Sequence, residues 1–128
     1  MAYYDIIISL ILYPYELRKI FNMTFEECYT YIERLFYSHD FSDIGQDFSM
    51  SVCLQGKNGG YVYLLWQDGM RFSEPVRHKT ASIYLTMTMG VFEKLRTGQL
   101  EIFKAFTTKQ ILAKGNVVLA MSIYNSFK

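Results

Sequence analysis

Residues 91–121 read VFEKLRTGQLEIFKAFTTKQILAKGNVVLAM, and the stops and starts in this stretch decide how the chain folds. Phe92 and Leu95 lie on one side of a short helix that Thr97-Gly98 ends, because glycine accepts the left-handed backbone that closes a helix. A second short helix holds Leu100, Phe103, Ala105 and Phe106. Residues 110–114 are too few for another helix and suit a strand, Gly115 turns the chain, and the Asn116 side chain caps a last helix, Val117 to Phe127. That helix is apolar nearly all round: Val117, Ala120, Met121 and Tyr124 form one stripe, and Leu119, Ile123 and Phe127 another, so it needs cover on two sides. A sheet can supply one side. The other is left to a bound ligand, to neighbouring helices or to a second subunit.

Ahead of this stretch the period of the hydrophobic pattern is two. Ala81, Ile83, Leu85 and Met87 alternate with Ser82, Tyr84 and Thr86, which predicts a strand. Phe48, Met50, Val52 and Leu54 alternate with Ser49, Ser51, Cys53 and Gln55, which predicts another with one wet face. Gly56-Lys57-Asn58-Gly59-Gly60 tolerates positive φ, so the chain reverses into Tyr61 to Trp66, and Asp68-Gly69 reverses it again into Met70 to Ser73. Further back, Thr24 and Glu27 stand at the T-x-x-E spacing of a capping box, and Phe25, Cys28, Tyr29, Ile32, Leu35 and Phe36 share the face of a helix that ends near Ser38. The prediction is an α+β domain over residues 24–128 with five strands and the helices named above.

Hydrophobic residues are 51% of the 128 and aromatic ones 17%, more than one small core comfortably hides, so some of that surface should line a cavity or face a partner. Thirteen Lys and Arg against twelve Asp and Glu leave no basic footprint for a phosphate backbone, and no nucleic-acid partner is expected. Cys28 and Cys53 lack His or Cys neighbours at metal-ligand spacing, which points to free thiols and a reducing, cytoplasmic compartment. Ile6 to Tyr13 lacks the basic start and small-residue cleavage site of a signal peptide, and is broken by Pro14 well short of the roughly 20 residues a membrane span requires. Asn22-Met23-Thr24 reads as a helix cap and its neighbours rather than a glycosylation acceptor.

The 91–121 stretch resembles the C-terminal signature of the sterol carrier protein family, matching it without a gap from Phe92 and Leu95 through Thr97-Gly98, Ala105-Phe106, Ile111 and Gly115-Asn116 to Leu119-Ala120-Met121. The resemblance covers about Thr24 to Phe127, strongly after Ala81 and by strand order before it. It implies a mostly antiparallel five-stranded sheet covered on one face by helices, with an apolar tunnel between them, partly walled by the C-terminal helix, that holds fatty acyl or sterol-like ligands. Phe92, Leu95, Phe103, Phe106, Leu119, Met121 and Tyr124 match the segments that form that wall. Trp66, at the end of a strand whose Val62 and Leu64 share its face, joins them as a candidate ligand-binding residue. Two positions depart from the family pattern: Lys109 replaces a small residue ahead of the fifth strand, and Asn116 replaces an acidic one.

Catalytic constellations are not in view. Ser38-His39-Asp40 has the letters of a triad, but three consecutive residues cannot point at one another suitably. His78, beside Arg77 and Lys79, reads as part of a solvated basic loop. Gly56 to Gly60 lacks the following helix of a nucleotide loop, and two histidines with dispersed carboxylates give no metal centre. The expected function is therefore non-catalytic binding of a long-chain lipid, acyl derivative or isoprenoid, with no cofactor and no stable membrane insertion. The alternative is a protein-interaction or homodimerisation module with a side-chain-filled core. Residues 1–23, rich in Ile, Leu and Tyr, are expected to add an apolar arm or extra strand, of the same domain or of a partner in a homodimer.

Overall fold

The computed structural model describes residues 23–127. Helix α1 (Phe25–Ser38) leads through a 3₁₀ turn (Ser42–Ile44) to strands β1 (Phe48–Gln55), β2 (Gly60–Gln67), β3 (Met70–Glu74) and β4 (Ile83–Thr88). Helices α2 (Met89–Arg96) and α3 (Ile102–Thr107), strand β5 (Leu112–Gly115) and helix α4 (Val117–Ser126) complete the chain. The strands form one sheet in the order β3-β2-β1-β4-β5. Neighbours are antiparallel except β1 and β4, which run parallel with Val52 opposite Leu85. The sheet is thus mixed. The expected arm or strand at 1–23 lies outside the described residues apart from Met23, whose amide donates to Glu93 Oε1 at 2.9 Å.

Local chemistry sets most boundaries. The Thr24 hydroxyl accepts from the Glu27 amide, and the Glu27 side chain accepts from the Thr24 amide, so the capping box forms. Asp68 and Gly69 both take positive φ, 53° and 75°, as a tight hairpin turn requires. Three boundaries differ from the sequence reading, each because an amide is used elsewhere. The fourth strand starts at Ile83 rather than Ala81, since the Ala81 amide donates to the Tyr84 hydroxyl and the Ser82 amide to Ser49 Oγ. The Glu101 side chain caps α3 by accepting from Phe103 and Lys104, which leaves Leu100 ahead of it. Gln110 and Ile111 both donate to the Ala105 carbonyl in closing α3, so β5 begins only at Leu112.

One face of the sheet carries the core. Phe48, Val52 and Leu54 of β1, Val62, Leu64 and Trp66 of β2, and Ile83 and Met87 of β4 are buried there against Cys28 and Phe36 of α1, Phe92 of α2, and Leu119 and Ile123 of α4. Gly115 lets β5 lie close to β4, because a Cβ there would come within 2.4 Å of the Ser82 carbonyl oxygen. The other face is less wet than its alternation suggests. Ser51 is buried, and Tyr63 is covered by His78, stacked on its ring with centroids 3.5 Å apart and engaged by Glu74. His78 is therefore a packed element of the connector, not a solvated loop residue. Among the described residues no helix is long and apolar enough to cross a membrane.

Candidate functional site

A cavity of about 400 Å³ lies between the core face of the sheet and the helices. Its floor is Phe48, Met50 and Val52 of β1, Leu64 of β2, and Leu85 and Met87 of β4. The strand period brings these side chains to one face, where they leave room because no residue of the covering helices fills the centre. One wall is the α1 face bearing Tyr31, Ile32, Leu35 and Phe36. The facing wall is Phe92, Leu95 and Arg96 of α2, Ile102 and Phe106 of α3, and Ala120, Ile123 and Tyr124 of α4. Leu35 and Phe127 line the cavity and are also exposed, so they mark its rim.

Polar groups are few. Tyr124 donates to Glu101 Oε1 at 2.9 Å, and Arg96 is the single charged residue on the wall. At the rim Phe127 lies on His39, with centroids 3.9 Å apart and planes 19° from parallel. His39 Nε2 stands 3.0 Å from Ser126 Oγ, whose own proton goes to the Ile123 carbonyl, so the imidazole is the donor. These contacts tie the end of α4 to the end of α1. They also dispose of the local triad: His39 is turned to Ser126, Ser38 donates to the Leu35 carbonyl, and Asp40 accepts from the Ser42 amide. Burial, and secondarily the nearby Glu93 and Glu27, push the Cys28 thiol up to about 11, so it is a neutral core group.

Of the eight residues singled out from sequence, Phe92, Leu95, Phe106 and Tyr124 come together on the cavity wall. The other four sit elsewhere. Leu119 is buried in the core, Met121 is half-buried outside the lining, and Phe103 points away with 51% of its surface exposed. Trp66 packs on Phe41 at 5.6 Å between centroids, beneath Arg71, and it is Phe41 that reaches the cavity. The sequence reading missed the floor and the α1 wall, although the alternation of β1 and β4 and the stripe of α1 already placed Met50, Val52, Leu85, Met87 and Ile32 on inward faces. Arg96 was legible too, since it follows Phe92 by four residues and shares its helical face.

Residues 47–128, from β1 to the end of the chain, match the profile of the SCP-2 sterol transfer family. The chain belongs to that family. Helix α1 lies ahead of the matched segment and supplies one wall of the cavity. A search of curated protein sequences gives no significant match. Among solved structures, the Sterol Carrier Protein 2 Like 2 crystal structure from Aedes aegypti has a TM-score of 0.54 at 12% identity, covering 73% of this chain and 90% of that one. A solution structure of palmitated SCP2L2 from the same organism has a TM-score of 0.51 at 9% identity, covering 69% and 86%. A double mutant of the sec-alkyl sulfatase PisA1 has a TM-score of 0.62 at 11% identity over 73% of this chain, but this chain spans only 15% of the sulfatase's length. The SCP-2 fold is thus found both as a small protein and as part of a larger enzyme.

Proposed function

We propose that this chain binds a long-chain apolar lipid, such as a fatty acyl chain, a sterol-like molecule or an isoprenoid, in the cavity between the sheet and α1, α2 and α4, and carries it without altering it. The single observation behind this reading is the cavity itself: about 400 Å³ of space with a wall of aliphatic and aromatic side chains. That size falls in the roughly 300–1,000 Å³ range of small-molecule sites. Burying each CH₂ contributes about 0.8 kcal/mol, so a dozen carbons offset the cost of association. Membership of a sterol transfer family and the palmitated Aedes aegypti relative support the same class of ligand. The ligand contacts proposed from the C-terminal segments are Phe92, Leu95, Phe106 and Tyr124, with Met50, Leu85 and Ile32 facing them. A cytoplasmic setting is proposed from the two free cysteines, Cys28 and Cys53.

The test is organic extraction of the purified full chain followed by mass spectrometry, paired with titration of the stripped protein by long-chain acyl ligands. A co-purifying lipid, or saturable binding at one site, is the expected result. No binding across fatty acyl, sterol and isoprenoid classes would overturn it and leave the second reading, an interaction or homodimerisation module. That reading draws on Val117 and Val118, side by side at the start of α4, of which Val118 is 79% exposed.

A further inference from the structure

The cavity wall is apolar except at one place. Arg96 ends α2, and its side chain borders two depressions at once: the apolar cavity, and a shallow groove of about 390 Å³ over α1 lined by Met23, Glu26, Glu27, Thr30, Tyr31 and Arg34. Tyr31 is the other residue common to both. The two spaces therefore adjoin at the Tyr31–Arg96 pair. Arg96 Nε is shielded from solvent and has no hydrogen-bond partner, and among the described residues its guanidinium makes no ion pair. A buried donor left in that state costs about 1–3 kcal/mol, so an arginine there is an expensive way to line a lipid cavity unless something accepts from it. The groove acids do not. Glu27 is held by Thr24 in the capping box, and neither Glu26 nor Glu27 comes within ion-pair distance of Arg96.

We propose that Arg96 anchors the anionic head group of a single-chain amphiphile, a carboxylate or sulfate, whose tail lies in the cavity along Phe92, Leu95 and the sheet floor. The inference rests on the lipid-binding reading and narrows it to anionic ligands. An apolar chain in the cavity has one end beside Tyr31 and Arg96, where the wall gives way to the polar groove. A planar carboxylate or a sulfate oxygen there accepts from the guanidinium in the paired geometry that arginine favours. Arg34 adds a second positive charge in the groove. Glu26 and Glu27 line the same groove, and their carboxylates repel an anion that moves into it away from Arg96.

The experiment compares dodecanoate, dodecyl sulfate and dodecan-1-ol, each below its micelle-forming concentration, by equilibrium dialysis against the stripped full chain and its Arg96→Met variant. Wild type is expected to bind at least one anion about tenfold or more tightly than the alcohol, the effect of one charge-assisted hydrogen bond of about 1.4 kcal/mol. In Arg96→Met the anions fall to the affinity of the alcohol, while the alcohol itself is unchanged. Which anion binds more tightly decides between the two head groups. Equal binding of all three to wild type overturns the proposal and leaves lipid binding standing, and needs no variant. An Arg96→Met effect that is the same on anions and alcohol also overturns it. Failure of all three ligands to bind also overturns the proposal, and leaves the lipid-binding reading to be decided by the sterol and isoprenoid titrations.

Discussion

The guanidinium of Arg71 lies 4.8 Å from the centroid of the Trp66 ring, on the neighbouring strand of the sheet. The same group donates from Nε to the Phe36 carbonyl at 3.2 Å and from Nη2 to the His39 carbonyl at 2.6 Å, closing the end of α1. One side chain thus satisfies helix-terminal carbonyls, covers the tryptophan and fixes α1 over the sheet.

Replacing Arg71 by Met removes these bonds together. Hydrogen bonds from a charged donor are worth about 1.5–3 kcal/mol, so urea unfolding should show a loss of about that size. Arg71→Lys should recover only part, because an ammonium on a flexible stem does not reproduce the fork that spans two carbonyls. A variant as stable as wild type would show that α1 is held by its apolar face alone.

Trp66 reports on the cavity at second hand. It is 8% exposed and packs on Phe41, which lines the space. Its emission should be that of a buried indole in the stripped protein and should change in intensity, with little spectral shift, on titration with long-chain acyl ligands. Short polar acids should leave it unaltered. Phe41→Leu should mute the response while dialysis still registers binding.

Adjacent residues on α4 separate cavity wall from helix flank. Ala120 lines the cavity and Met121 does not. Ala120→Phe should project a ring into the ligand space and weaken binding of a twelve-carbon chain by about tenfold or more, since overpacking costs about 1–3 kcal/mol. Met121→Lys should bind as wild type does, because its half-buried side chain can carry the charge out to water. The reverse pattern, read by dialysis on proteins with intact circular dichroism, would place the ligand on the other side of α4.

Lys109 occupies the position after the cap of α3 with φ of 60°, and its amide donates to Phe106 while that of Gln110 donates to Ala105. This is a Schellman closure with lysine where glycine fits best. Left-handed backbone costs a side-chain-bearing residue about 1–2 kcal/mol, partly offset by the greater freedom of glycine in the unfolded chain. Lys109→Gly should therefore raise the thermal midpoint, by an amount corresponding to about 0.5–1 kcal/mol. A lowered midpoint would mean the lysine side chain makes a contact worth more than the strain.

Cys28 is fully buried and its thiol is shifted from 9.0 to about 11, whereas Cys53 is half-buried. A maleimide near pH 8 should label Cys53 first and Cys28 only in denaturant, as intact-mass analysis would show. The folded value lies above the unfolded one. The contribution of the neutral thiol is therefore whole below about pH 9 and is lost as pH rises toward about 11, where the unfolded chain ionises first. Urea midpoints of Cys28→Ala should fall less steeply over that window than those of wild type.

Residues that end or begin an element were legible because their task is local. Thr24 with Glu27, Asp68-Gly69, Gly98 and Asn116 each act on backbone within a few positions, and all hold the places their spacing implied. The stripe of α1 and the alternation of β1 and β4 likewise gave the inward faces. Less of the site was legible. Four of the eight candidate residues line the cavity, and the four that do not include Leu119, which shares a helical stripe with the lining residues Ile123 and Phe127 yet packs in the core.

By itself the sequence determined an α+β domain, its element order, its helix caps and the likeness of its last third to a sterol transfer family, since these follow from interactions between near neighbours in the chain. Only the tertiary structure decided that β1 pairs with β4 in parallel, that α1 forms one wall of the cavity, that Trp66 lies under Arg71 rather than on the lining, and that Arg96 comes to the boundary of an apolar space with a buried donor unmatched. Each of these depends on which faces meet across long separations in sequence. Periodicity says which way a side chain points, and packing decides what it finds there.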